Sequence, residues 1–255
     1  MNFVWGALFV MLFLVVVTYL ENFKKVNRMI FPLEPEVIRE LRRYFPFYRH
    51  FSFRRKRKFE TRVKSFLNSF DYQLRGNMRL TPEVRAILGG TAARISMYLP
   101  EMCFNYYNVI VLYPSVYRSK FTGRKHKGEV NPGARIIVFS WEAVMEGINR
   151  SDDGLNLLLH EYAHALYFEH MLMKADYEVF NEEAYNRVMA QAEIEIEKIR
   201  RDEPHLLRKY AATNMEEFFA VAVENFFERS AEFKKGLPEL YGTLVLLFRQ
   251  DPLRG

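Results

Sequence analysis

Residues 157–166 read Leu-Leu-Leu-His-Glu-Tyr-Ala-His-Ala-Leu. In an α-helix, His160 and His164 fall one turn apart on the same face, where two imidazoles can grip one metal ion. Glu161 stands between them on the adjoining turn. A carboxylate there reaches a water held by the ion without itself joining the ligands, which is what a metallopeptidase needs of its general base. Leu155, Leu158, Leu159, Tyr162, Ala163 and Leu166 make this helix apolar over most of its circumference, so it belongs inside the molecule. Three ionisable groups on a buried helix need partners, and a divalent cation supplies one. The competing reading is a pair of hydrogen-bonded core histidines.

Two His do not complete a catalytic site, which takes three protein ligands and an open position. His170 is the nearest candidate, placed like the third His of metzincins. Those proteins turn the chain out of the helix at a Gly, and here Tyr167 holds that place. In a continuing helix His170 points about 120° away from His164, which favours a surface role. Residues 210–227 offer a better ligand. Thr213 and Glu216 fit a capping box, and Glu217 then enters the first turns of a strongly apolar helix with Glu224 two turns on along the same face. We expect Glu217 as the third ligand and Glu224 behind it, orienting a His. A solvated acidic stripe is the alternative.

From Phe3 to Leu20 the chain carries no charge, enough residues at ~1.5 Å each to span a bilayer core. With no basic segment before it and no small-residue cleavage site after it, a retained anchor is preferred over a signal peptide. Lys24, Lys25 and Arg28 follow directly, so the positive-inside tendency places the rest of the chain in the cytoplasm. The single Cys103 excludes an intrachain disulfide, fits a reducing compartment, and reads as a small buried hydrophobe.

Pro32 and Pro35 suggest a linker. A basic run from Arg54 to Lys64 then carries Phe59, Val63, Phe66, Leu67 and Phe70 at helical spacing, giving one buried face and one cationic face. Beside a membrane span that face suits anionic lipid, and equally a plain solvated surface. The net charge of +6 alone would allow a nucleic-acid partner, but no stacking platform or recognition helix accompanies it. Thr81-Pro82 opens a helix that Pro100 ends. Residues 108–113 and 134–139 read as buried strands, and 115–133 between them as a hairpin or flap that could border a cleft. Ser151-Asp152-Asp153 reads as the start of the His-bearing helix.

The segments HEYAH, YAATNMEEFFAVAVENFF and LPELYGTLVLLFRQDP, with VLYP and VFSWEAV, resemble the Mlc titration factor A family of zinc-dependent peptidases from about Pro46 to Pro252. The Tyr-x6-Glu-Phe-Phe-Ala segment is also similar to the catalytic domain of lethal-factor-type gluzincins. The resemblance implies zinc on His160, His164 and Glu217, Glu161 as general base, and Tyr210 as hydroxyl donor to the oxyanion. It also implies a glucose-responsive transcriptional repressor as partner. The chain departs from the family in two ways. Members commonly have Asp three residues after the second His, where this chain has Tyr167, and they are soluble.

The expected protein is therefore α+β: a mainly helical zincin-like metalloprotease domain with a small β-sheet, preceded by one transmembrane helix. Residues 1–28 would be the anchor and its basic flank, 29–45 a linker and 46–255 the catalytic domain. Its expected function is hydrolysis of peptide or protein substrates at the membrane. The alternative is a membrane-tethered module that sequesters a transcriptional regulator.

Overall fold

The computed structural model describes Met11 and residues 32–254 except Ser151. The expected anchor, residues 3–20, and its basic flank lie outside the described residues but for Met11. Among the described residues no helix is long and apolar enough to cross a membrane.

The architecture is mainly helical with one small sheet. Helices α1 (Pro35–Tyr44), α2 (Pro46–His50) and α3 (Phe53–Ser69) lead into strand β1 (Asp71–Leu74) and helix α4 (Pro82–Ser96). The stretch 29–45, expected as a linker, is thus helical from Pro35. Its Val37 and Leu41, one turn apart on one face, are fully buried, which ties α1 to the core. Gly90 allows this contact, since a Cβ there would lie 2.2 Å from the Phe45 ring and 2.9 Å from Leu41. On α3, Phe59, Val63, Phe66 and Leu67 are buried and none of the cationic residues is, as the spacing predicts. Thr81 caps α4 by accepting a hydrogen bond from Val84 N at 3.3 Å.

Strands β2 (Val109–Tyr113), β3 (Tyr117–Arg118), β4 (Lys125–His126), β5 (Gly128–Asn131) and β6 (Ile136–Ser140) follow. The sheet runs β1-β2-β6-β5, parallel except for β5, which is antiparallel to β6 and forms one edge. The two strands expected from apolar runs are β2 and β6 at the centre, buried on both faces. The flap between them contains the β3–β4 hairpin and the edge strand β5.

Ser140 caps α5 (Trp141–Asn149), and Asn156 caps α6 (Leu157–Met173) by accepting a hydrogen bond from Leu159 N at 3.0 Å. The His-bearing helix therefore starts at Leu157. Asp152 and Asp153 belong to the preceding turn, where Asp153 accepts a hydrogen bond from Leu155 N. Then come α7 (Glu182–Arg200), a 3-10 turn (Lys209–Ala212), α8 (Met215–Glu228), α9 (Ser230–Gly236), α10 (Pro238–Phe248) and a last 3-10 turn (Pro252–Arg254).

Helix α6 packs against α4, α5, α8, β5 and β6. Leu158, Leu159, Tyr162, Ala163, Ala165 and Leu166 have no exposed surface. Each buried Leu of this kind contributes ~1.5–3 kcal/mol. The Tyr162 ring meets Phe66, Phe104 and Phe139, and its hydroxyl donates to Leu88 O at 3.2 Å. An apolar helix packed against three helices and two strands is a rigid platform for the polar groups it carries.

Candidate metal centre

One turn of α6 separates His160 from His164, and their Nε2 atoms lie 3.1 Å apart. Glu217, in the first turn of α8, completes a triangle: its Oε2 is 3.2 Å from His160 Nε2 and 3.3 Å from His164 Nε2. Two ligand atoms bound tetrahedrally to one zinc-sized ion sit about 3.3 to 3.4 Å apart. The triangle has that size. Glu217 Oε2 is buried and accepts no hydrogen bond of good geometry, so three lone-pair donors converge with nothing between them. Among the described residues this is the one group of His, Cys, Asp and Glu able to hold a metal ion. Imidazole and carboxylate suit a divalent cation of the zinc type, and the residues therefore fit the group.

The carboxylate arrives through a cap that sits one residue later than the sequence suggests. Asn214, extended at φ −162°, is the N-cap of α8 and accepts a hydrogen bond from Glu217 N at 2.8 Å. Thr213 is the C-cap of the 3-10 turn, still helical at φ −63° and ψ −53°, and its hydroxyl donates to Tyr210 O, so the Thr213–Glu216 capping box does not form. Glu216 instead meets the Asn214 side chain at 3.2 Å.

Glu224, two turns along α8, is buried and accepts from three donors. Asn156 N donates at 2.8 Å, His160 Nδ1 at 2.8 Å and Arg208 at 2.6 Å. With Nδ1 directed at a carboxylate, the His160 ring is held with Nε2 facing the shared centre. Burial alone would lower the His160 pKa, but the Glu217 and Glu224 carboxylates outweigh it and push it up to about 10. Burial likewise raises Glu217, and the two His hold it well below the usual carboxylate range nonetheless. The field at this point favours positive charge.

His164 Nδ1 is buried and has no hydrogen-bond partner among the described residues. The helix offers Tyr167, not a carboxylate, one turn on, and the Tyr167 ring packs against Tyr185 and Phe219. His170 takes no part in the centre. It is 1% exposed, packed against Phe180 and Tyr185 with Glu182 3.6 Å away, so it is a core residue and not the surface His that helical spacing suggested.

Glu161 is 6% exposed, and burial raises its pKa against the pull of His160 and His164. The start of β5 passes directly over it. A Cβ on Gly128 would lie 2.4 Å from Glu161 Oε1, so only glycine leaves this carboxylate its place. Tyr210, half-exposed on the 3-10 turn, donates its hydroxyl to Glu217 Oε1 at 2.8 Å. Burial first and Glu217 second raise its pKa, so it stays a proton donor at neutral pH. His160, Glu161 and Tyr210 open onto a cleft of about 430 Å³.

Sequence reasoning missed Gly128, Arg208 and Asn156. Gly128 sits in a polar stretch with no local signal, and Arg208 acts only through a partner sixteen positions away. Asn156, just before the apolar run, carried a cap signal that the Ser-Asp-Asp sequence obscured.

A His-Glu-x-x-His helix under an edge strand, a carboxylate from a later helix and an open cleft beside them define a metallopeptidase-like fold. The chain belongs to the family described as Glucose-regulated metallo-peptidase M90, whose profile matches residues 21–249. It is 26% identical over 245 residues to an uncharacterized protein of Synechocystis sp., covering 87% of this chain and 86% of that protein. It is also 26% identical over 193 residues to Mlc titration factor A of Yersinia pestis, covering 68% of this chain and 70% of that protein. The same figures hold for Mlc titration factor A of Yersinia pseudotuberculosis.

Proposed function

We propose that the chain is a zinc-dependent peptidase, anchored to a membrane through residues 3–20 with its catalytic part in the cytoplasm. The observation that carries the catalytic reading is the triangle of His160 Nε2, His164 Nε2 and Glu217 Oε2, 3.1 to 3.3 Å on a side, with Glu161 buried beside it. His160, His164 and Glu217 would hold the metal. When bound, zinc supplies Lewis acidity, which polarises a peptide carbonyl and makes water a nucleophile near neutral pH.

The remaining work falls to the chain's own groups. Glu161 takes the proton from the attacking water and passes it to the leaving amine, a cycle suited to a carboxyl whose burial raises its proton affinity. The Tyr210 hydroxyl donates to the oxygen on which negative charge develops. Glu224, itself held by Arg208, fixes the His160 ring through Nδ1. The free edge of β5 offers backbone groups to which an extended peptide can pair.

Glu161→Gln tests this directly. Zinc should stay bound while peptide hydrolysis falls by several orders of magnitude, and a variant that cleaves as fast as wild type removes Glu161 from the mechanism. The similarity to proteins named Mlc titration factor A favours a second reading, in which the chain sequesters a transcriptional regulator. Capture of that regulator by Glu161→Gln as well as by wild type would support sequestration independent of hydrolysis.

The anchor proposal draws on the uncharged run 3–20 and on Lys24, Lys25 and Arg28 after it. The single, buried Cys103 leaves no intrachain disulfide to form, which accords with a reducing compartment.

A further inference from the structure

We propose that the cleft beside Glu161 is a subsite for a carboxylate of the bound peptide, either an acidic side chain or the free chain end. The cleft lies between the β4–β5 segment, the last turns of α5 and the 3-10 turn that carries Tyr210. Four cations line it: Lys125, Lys127, Arg150 and Arg208. Two of them are already engaged. Lys127 pairs with Glu146 at 3.0 Å, and Arg208 pairs with Glu224 and donates to Gly154 O at 2.9 Å. The acid Asp153 is turned to the backbone of Leu155.

Lys125 and Arg150 are left over. Both are exposed, and neither side chain has an ion pair or hydrogen bond among the described residues. Unpaired cations at the rim of a concave surface raise the local concentration of anions, and an Arg fork matches the two oxygens of a carboxylate. The inference rests on the peptidase reading for the peptide's direction. A peptide paired antiparallel to β5 runs with its C-terminal side toward Gly128 and on past Lys127 to Lys125. The recognised carboxylate therefore lies C-terminal to the cut bond.

The test uses the full chain carrying Glu161→Gln, loaded with zinc, so that peptides bind without being consumed. Four N-terminally labelled peptides of one length carry Glu or Ala downstream, each as free acid or amide, and fluorescence anisotropy gives their affinities. Peptides with a carboxylate should bind about tenfold tighter than the neutral amide, the scale of two partly screened ion pairs, and the preference should shrink as salt is raised. Comparing the side-chain and chain-end arms shows which carboxylate the cleft takes. Adding Lys125→Ala and Arg150→Ala should bring the preference to about one, and Lys125→Arg with Arg150→Lys should restore it. Equal affinity for all four peptides, or a preference that survives the double Ala variant, overturns the subsite. Wild-type turnover of the same peptides separates the two readings. Cleavage without carboxylate preference keeps the peptidase and removes the subsite, whereas carboxylate-dependent binding with no cleavage keeps the subsite and removes the peptidase.

Discussion

Glu224 and Glu228 stand one turn apart on α8 and meet opposite fates. Glu224 is satisfied by three donors, a guanidinium and the His160 ring of the candidate metal centre among them. Glu228 has one donor, the Asn156 side chain at 2.8 Å, and its Oε2 is buried with none. Burial therefore pushes the Glu228 pKa up to about 7, against the pull of Asn156 and Arg94. Between its usual 4.5 and about 7 the folded protein holds a proton that the unfolded chain releases, so this group lowers stability as pH rises through that window. Glu228→Gln keeps an oxygen for Asn156 and removes the charge. Its thermal midpoint should exceed wild type at pH 8, by an amount equivalent to at most ~3 kcal/mol, with little difference at pH 4.5. An equal effect at both pH values would mean that Glu228 is not the titrating group.

Strand β5 and helix α6 meet where Gly128 passes over Glu161, and the close approach makes the proposed general base depend on a residue of another element. Gly128→Ala should displace the Glu161 carboxylate by about an ångström and lower kcat by roughly 10²-fold while zinc content stays at the wild-type level. Normal turnover would show that the strand does not position the base. This dependence was not legible beforehand. Helices α3, α4 and α6 were, because their apolar spacing and, for α4, the Thr81-Pro82 start are local signals. The short strands β1 and β5 carry no fully buried residue and no apolar run, so nothing marked them. The start of α8 was missed by one residue because Thr213 and Asn214 are both good caps in sequence. Which one is extended depends on where the preceding 3-10 turn ends. Glu217 and Glu224 were legible as acids on an apolar helix, whereas the triangle's size and the three donors of Glu224 belong to the packing of α6 against α8.

On the scale of the whole molecule, residues 32–254 share a core that wraps α6, and α1 packs into that core instead of linking it to an anchor. The family match beginning at residue 21 agrees with an N-terminal boundary upstream of α1. If residues 3–20 anchor the chain, the full protein should sediment with membranes and resist alkaline carbonate extraction. Removal of residues 1–28 should release it to the supernatant, and a full chain that is extracted by carbonate would contradict the anchor.

The central claim is that His160, His164 and Glu217 hold one zinc ion. Elemental analysis of the purified full chain, beside Glu217→Ala and Glu224→Ala, tests it most directly. The account predicts about one zinc per wild-type chain, its loss in Glu217→Ala, and affinity reduced about 10- to 100-fold in Glu224→Ala. A wild-type chain without zinc, or a Glu217→Ala chain that holds it as tightly as wild type, would contradict the account.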